Sequence, residues 1–300
     1  MAEEPSDLGG PRGRILIAGC GRIGQALGSR LAAGGAEVFG LRRRPEGLPE
    51  GITPIAADLE DPATLAEALP TELDTVYYIV TPGSYDDDGY RRAFVDGLDN
   101  LAGVLRRHPA PPRRLVFVSS TAVYGQQDGE WIDEDSPTEP PRFSGQRLLA
   151  GEAIAAEGPW EAVIARYGGI YSAERDMLIG KARRGEPCLH HSYTNRIHAE
   201  DVVGSLIHFA DPAVPAGIYL GVDDAPVTQC EVLDFIAAEL GLPAPPRAEG
   251  AGPDRRGVGS KRGDNRKLRA SGYVLRYPTY REGYRAILTG SAASQPKNAR

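Results

Sequence analysis

Cysteine is scarce in this sequence: there are three in 300 residues, Cys20, Cys188 and Cys230. Their wide spacing argues against a disulfide framework and predicts reduced thiols in a cytoplasmic protein. No apolar run is long enough to span a bilayer, so no membrane partner is expected. The amino-terminal stretch MAEEPSDLGGPRGR is acidic and rich in small residues, and it lacks the apolar segment of a signal peptide. An excess of positive charge is missing too. The formal net charge is −7, which removes the electrostatic footprint of a nucleic-acid-binding protein. Cys188, His190 and His191 stand close together, but their spacing fits no zinc pattern and no second Cys/His pair accompanies them, so no metal is expected. What is present, 41% hydrophobic and 25% charged residues, is ordinary for a soluble globular protein. The length suits one large α/β domain, or one with a smaller appendage.

Short apolar runs rich in Val and Ile alternate with helical patterns. Strands are predicted at Arg14–Ala18, Glu37–Leu41, Thr53–Ala56, Thr75–Val80, Arg114–Ser119 and Ala162–Tyr167, near-continuous as expected for strands buried on both faces. Ile23, Leu27 and Leu31 form one helical stripe, and Phe94, Leu98, Leu101 and Leu105 another. Strand followed by helix, repeated, implies right-handed crossovers, hence a doubly wound parallel sheet of the Rossmann type. The pattern loosens after Tyr171. Thr228 with Glu231 three residues on reads as a capping box opening a helix with Val232, Phe235, Ile236 and Leu240 on its apolar face. The stretch Gly241–Gly259, rich in Pro and Gly, reads as a long loop, and a last helix is predicted over Tyr280–Leu288. The predicted division is a dinucleotide-binding domain over residues 13–170 and 195–222, a smaller α+β substrate-side region over 171–194 and 223–290, and tails at 1–12 and 291–300.

The first strand runs into Gly19-Cys20-Gly21-Arg22-Ile23-Gly24, a G-x-G-x-x-G turn that opens a helix. That context makes the motif informative. The first glycine permits the tight turn, the second lets backbone approach a pyrophosphate, and the third lets helix pack on strand. The free N–H groups and positive dipole end at Arg22 and Ile23 then suit the phosphates. About 20 residues further on, an acidic residue would grip the ribose 2′-hydroxyl of NAD. Here stands Leu41-Arg42-Arg43-Arg44. A carboxylate would repel a 2′-phosphate, whereas Arg42 and Arg43 can bind one bidentately. NADP is therefore favoured, with NAD open; the alternative is a solvated basic cluster ahead of Pro45.

The chain resembles the short-chain dehydrogenase/reductase superfamily, in its extended and atypical branch of nucleoside-diphosphate-sugar epimerases and dehydratases. The resemblance rests on the glycine loop, Asp58-Leu59, Val118-Ser119-Ser120-Thr121-Ala122-Val123-Tyr124-Gly125, Arg166-Tyr167-Gly168-Gly169-Ile170-Tyr171 and Asn195-Arg196-Ile197-His198-Ala199-Glu200-Asp201. It implies that Asp58 and Leu59 contact adenine, that Ser120 hydrogen-bonds the reacting oxygen, and that Asp201 is structural. The family's Tyr-x-x-x-Lys pair is missing. With Glu152 setting the register, its places fall on Ser144 and Leu148; shifted by one, on Phe143 and Arg147. Neither register supplies a phenol or an amine, so the usual proton relay is absent. The Asp-Glu that dehydratases of this family carry after the Ser/Thr is Thr121-Ala122 here, which excludes sugar 4,6-dehydratase chemistry.

A displaced tyrosine is one substitute for the lost phenol. Tyr124, Tyr167 and Tyr171 are candidates, and Tyr85 is favoured because it follows Thr81-Pro82-Gly83, the loop after the fourth strand, at the sheet edge where ligands bind. Asp86-Asp87-Asp88 reads as the acidic start of the next helix. The resulting expectation is an NADP-dependent oxidoreductase or sugar-epimerase-like enzyme acting on a small carbonyl or hydroxyl compound, with Ser120 and Tyr85 as catalytic candidates. The alternative is an inactive NADP-binding sensor. A homodimer is a common state for such proteins.

Overall fold

Hydrophobic periodicity determines the layout of the first half of the chain. The computed structural model describes residues 13–175, 177–248 and 259–293. From the amino end the elements are β1 (Arg14–Ala18), α1 (Arg22–Ala33), β2 (Glu37–Arg42), β3 (Ile52–Ala56), α2 (Pro62–Ala68), β4 (Thr75–Tyr78), α3 (Asp87–Arg91), α4 (Gly97–Arg107) and β5 (Arg114–Ser120). Then follow β6 (Glu130–Ile132), α5 (Phe143–Ala156), β7 (Glu161–Tyr167), β8 (Gly169–Tyr171), α6 (Met177–Arg183), β9 (Tyr193–Thr194), β10 (Arg196–His198) and α7 (Ala199–Phe209). The chain ends with β11 (Gly217–Gly221), β12 (Val227–Thr228), α8 (Gln229–Glu239), β13 (Lys261–Gly263), α9 (Arg266–Ala270) and α10 (Tyr280–Ala293).

Seven strands form one sheet in the order β11-β7-β5-β4-β1-β2-β3. The pairs β1–β2, β1–β4, β2–β3 and β4–β5 run parallel. Because β1 lies between β2 and β4, the strand order reverses there, the place where doubly wound sheets bind ligands. Ile15, Leu16, Ile17 and Ala18 are all buried, as a central strand covered on both faces requires.

The predicted strands and helices agree with these elements, with physical exceptions. β4 ends at Tyr78 rather than Val80; Ile79 still donates to the Ala18 carbonyl at 2.8 Å before the chain turns away. The stripe at Phe94 is not one helix: Arg92–Asp96 is a π-helical turn between α3 and α4. The last helix runs to Ala293, beyond the predicted end at Leu288 and into the stretch read as a tail. β11 was not predicted; glycines at both its ends weaken the strand signal. Residues 1–12, 249–258 and 294–300, which hold most of the predicted tails and part of the Gly241–Gly259 loop, lie outside the described residues.

Contacts divide the chain into two compact units. The first comprises Met1–Val123, Glu139–Arg166 and Val203–Tyr219; the second comprises Tyr124–Thr138, Tyr167–Val202 and Leu220–Arg300. The second unit holds three two-stranded ladders, β8–β10, β9–β12 and β6–β13. Its core joins Tyr171, Ile179, Val232, Ile236, Tyr284 and Ile287. At α8 the capping box is formed: the Thr228 hydroxyl accepts from the Glu231 N–H, and the Glu231 carboxylate accepts from the Thr228 N–H.

One expectation is overturned. Cys188 and Cys230 are joined by a disulfide with 5.1 Å between their Cα atoms, while Cys20 is free and buried. Their sequence separation of 42 hid the pairing. Cys230 sits in the first turn of α8, and the loop carrying Cys188 packs into the same core. The rings of His190 and His191, neighbours of Cys188 in sequence, lie 3.7 Å apart between centres and tilted by 50° to each other.

Candidate cofactor and active site

In the first unit, β1 leads into the glycine loop. Gly19 adopts φ +83°, a region open to glycine, and a Cβ there would lie 2.3 Å from the Ile79 carbonyl oxygen. Gly24 brings α1 onto the sheet: a Cβ would meet Ile17 at 3.0 Å. At Gly21 a Cβ would meet only the Gly19 oxygen, at 3.9 Å, so the space beside this residue is open. The N–H groups of Gly19 and Cys20 donate to the Leu41 carbonyl, Gly21 N–H to Gly19, and Gln25 N–H closes the first helical bond on Gly21. No side chain caps α1. The N–H groups of Arg22, Ile23 and Gly24 thus form an uncapped positive helix end.

The charge beyond β2 lies beside this loop. Arg42 is half-buried and its guanidinium acts electrostatically on the Cys20 thiol, opposing the burial that pushes that thiol up to about 11. Arg43 and Arg44 are exposed. Register pairs Arg42 with Ala56, and Ala57 N–H donates to the Arg42 carbonyl at 3.3 Å, so Asp58 and Leu59 follow at the same sheet edge. Asp58 Oδ1 accepts from Glu60 N–H, and the Leu59 carbonyl accepts from Asn100. Gly19, Gly21, Arg22, Ile23, Gly24, Arg42, Asp58 and Leu59 are thereby gathered around the carboxyl ends of β1–β3.

Ser120 ends β5, half-buried, with its Oγ accepting from Ala122 N–H at 3.2 Å. Its own O–H remains able to donate. The first turn of α5 lies directly on the next residues: a Cβ at Gly145 would stand 2.3 Å from the Ala122 oxygen, so only glycine permits this approach. Behind them is a buried ionic network. Arg166 grips Glu152 bidentately, Nε to Oε1 at 3.0 Å and Nη2 to Oε2 at 2.6 Å, and Ser119 Oγ donates to Glu152 Oε1 at 2.5 Å. Ser144 and Leu148 share the buried face of α5 with Glu152. Phe143 and Arg147 point elsewhere. Phe143 packs edge-on against Tyr85 and Tyr90, with ring centres 5.6 and 5.4 Å away. Arg147 is held bidentately by Asp87 at 2.8 and 2.7 Å.

Tyr85 is 55% exposed, and its ring rests on Tyr90 and Phe143. Tyr124, Tyr167 and Tyr171 are buried. The predicted acidic helix start is formed: Asp86 caps α3, its carboxylate accepting from Gly89 N–H at 2.7 Å, a bond that lowers the Asp86 pKa.

In the second unit the resemblance singled out Asp201, and its setting is structural: its carboxylate accepts from Arg276 N–H at 2.6 Å, Tyr277 N–H at 3.0 Å and the Tyr273 hydroxyl at 3.1 Å. His198 is buried, with Nδ1 accepting from Glu200 N–H, and burial lowers its pKa. Arg196 is buried and donates to Thr194 at 2.5 Å. Two buried ionisable groups escaped the sequence reading. Lys261 donates to the Tyr124 carbonyl at 2.5 Å, and burial pushes its amine down to about 8. Asp223 is buried, has one oxygen that accepts no hydrogen bond from a described residue and is pushed up to about 7 by burial. Neither carries a local sequence signal, because each environment is made by distant segments.

A parallel sheet reversing at β1, with an uncapped glycine loop at that point, defines a dinucleotide-binding α/β protein. The chain belongs to the NAD dependent epimerase/dehydratase family, whose model matches residues 15–203. A solved structure from Methylobacillus flagellatus, described within the same family, is 34% identical, covers 94% of this chain and 100% of its own, and superposes with TM-score 0.75. MoeE5 in complex with UDP-glucose and NAD is 26% identical, with TM-score 0.78 over 94% of this chain and 99% of its own. The dTDP-6-deoxy-L-talose 4-dehydrogenase (NAD(P)(+)) of Kitasatospora kifunensis is 27% identical over 271 residues, 80% of this chain and 84% of that protein. Among the described residues no helix is long and apolar enough to cross a membrane.

Proposed function

We propose that this chain is an NADP(H)-dependent oxidoreductase that acts on a carbonyl or hydroxyl compound, in the manner of sugar dehydrogenases and epimerases. The observation that carries the reading is the uncapped start of α1 beside Arg42, which no carboxylate among the described residues holds. The open space at Gly21 and the N–H groups of Arg22, Ile23 and Gly24 fit a pyrophosphate. Arg42 and Arg43 fit a 2′-phosphate, and Asp58 and Leu59 fit an adenine edge. When bound, the nicotinamide supplies or accepts the hydride. The sugar-nucleotide ligand of MoeE5 and the dehydrogenase name of the Kitasatospora protein support the substrate class.

The protein's own part is orientation and proton handling. Ser120 Oγ, with one lone pair occupied by Ala122 N–H, directs its O–H toward the reacting oxygen. Glu152, clamped by Arg166, holds Ser119 and thereby the end of β5 on which Ser120 stands; Glu152 and Arg166 are positioning residues. Tyr85, the exposed phenol of the first unit, delivers or receives the proton in place of the missing tyrosine. The cation of the usual pair has no counterpart on α5, because Leu148 is buried and Arg147 is bound to Asp87. Without a cation to lower the phenol's pKa, turnover is slow.

A panel of aldehydes, ketones and nucleotide sugars, followed by NADPH oxidation, tests this. The expected result is slow turnover that falls roughly a hundredfold in Ser120→Ala and markedly in Tyr85→Phe. Tight NADPH binding with no turnover of any substrate overturns the enzyme reading in favour of an NADP sensor.

A further inference from the structure

The parallel pair β6–β13 sets Trp131 opposite Arg262. The Arg262 guanidinium lies 5.1 Å from the Trp131 ring centre and 4.9 Å from that of Tyr193, and its Nε donates to the Gly129 carbonyl at 2.7 Å. The cation is thus fixed between two rings and covers one face of the indole. Trp131 remains 57% exposed, which leaves its other face open. Tryptophan is on average a largely buried residue, so this exposure sets Trp131 apart. It borders a cleft of about 330 Å³ lined by Trp131, Ile132, Asp133, Asp264 and Arg266, at the small end of the range for small-molecule sites, roughly 300–1,000 Å³.

The polar groups of the cleft differ in availability. Asp264 is committed to Arg266, accepting from its N–H at 2.9 Å and its Nε at 2.6 Å. Asp133 uses one oxygen, Oδ1, for the Ser136 hydroxyl at 2.7 Å and Asp135 N–H at 3.1 Å. Its Oδ2 accepts no hydrogen bond from a described residue. The cleft therefore offers a flat apolar face, one free anionic acceptor and a guanidinium already paired. Two carboxylates against one neutralised arginine repel phosphates and acids. An acceptor-only carboxylate rewards a ligand that brings hydroxyl donors. An open indole face rewards a ligand with a flat C–H surface.

We propose that this cleft is a binding site for a neutral pyranose sugar, with the ring's C–H face on Trp131 and its hydroxyls on Asp133 Oδ2. The site lies wholly in the second unit and shares no residue with the glycine loop, so it stands or falls independently of the cofactor assignment.

Tryptophan fluorescence of the full chain reads it. The other tryptophan, Trp160, is buried and bonded to the Ala155 carbonyl, so a ligand at the surface is reported by Trp131. Titration with glucose, galactose and mannose, with acyclic sorbitol as the control, should give a saturable change for at least one pyranose and none for sorbitol. Asp133→Asn should weaken that affinity tenfold or more without shifting the Tm. Calorimetry on Trp131→Ala should show the binding lost. The proposal is overturned if no pyranose saturates the signal, if Asp133→Asn and Trp131→Ala bind as the parent does, or if the fluorescence follows protein concentration instead of sugar, which would mark the face as a contact between copies of the chain.

Discussion

Replacing Glu152 by glutamine isolates the buried network behind Ser120. The Arg166 and Glu152 side chains are 4% and 6% exposed, so water cannot take over for a lost partner. Glutamine keeps the shape and offers Arg166 one oxygen, but it removes the charge that the guanidinium faces. Neutralising one partner of a buried pair costs about 3–5 kcal/mol, because the buried guanidinium loses its carboxylate. For a unit of this size, roughly 2–4 °C accompanies each kcal/mol, so the Tm should fall by about 10 °C. Thermal melts by circular dichroism, repeated in urea, measure this. The double variant Glu152→Leu with Arg166→Met removes both charges and should recover most of the loss. The reasoning is refuted if Glu152→Gln shifts the Tm by less than about 2 °C, or if the double variant is worse than the single.

Three further outcomes follow from the geometry. Gly21→Val should abolish NADPH binding and leave the Tm unchanged, since its Cβ meets only the Gly19 oxygen at 3.9 Å; normal binding by the variant would remove the loop from the phosphate site. Asp223, raised by burial to about 7 from an unfolded value of 3.8, stays protonated when folded across that window while the unfolded chain ionises. Its contribution to stability is therefore fully present below pH 4 and is lost as pH rises toward 7, by at most about 4 kcal/mol, and Asp223→Asn should remove that part of the slope in melts taken from pH 4 to 8; an unchanged slope would contradict the assignment. Reducing the Cys188–Cys230 bond, whose partners are 42 apart in sequence, should cost about 4 kcal/mol by loop entropy; equal melts with and without reductant, or three free thiols in the unfolded chain by alkylation and mass spectrometry instead of Cys20 alone, would count against the bond.

Local chemistry explains what could be read from the sequence. β1, the glycine loop and the capping box at Thr228 are written in neighbouring residues, and each formed where the pattern placed it. The arginine run could be seen but not aimed: that the Arg42 charge is felt at Cys20 depends on how β2 lies against the loop. Features set by distant segments were invisible. Cys188 and Cys230 meet across a packed core, and Lys261 and Asp223 are buried by segments far from them in sequence. Glu152 was visible only as a register marker, whereas its partners Ser119 and Arg166 come from β5 and β7. The π-helical turn at Arg92–Asp96 has the same apolar stripe as an α-helix, so periodicity alone does not separate the two.

In the proposed function Arg42, at the end of β2, and Arg43 select a 2′-phosphorylated dinucleotide, and paired fluorescence titrations with NADPH and NADH at fixed ionic strength test this most directly. NADPH should bind at least tenfold tighter, a difference of about 1.4 kcal/mol or more, and Arg42→Asp should lose that preference. Equal affinities for the two dinucleotides, or an Arg42→Asp variant that still prefers NADPH, would contradict it.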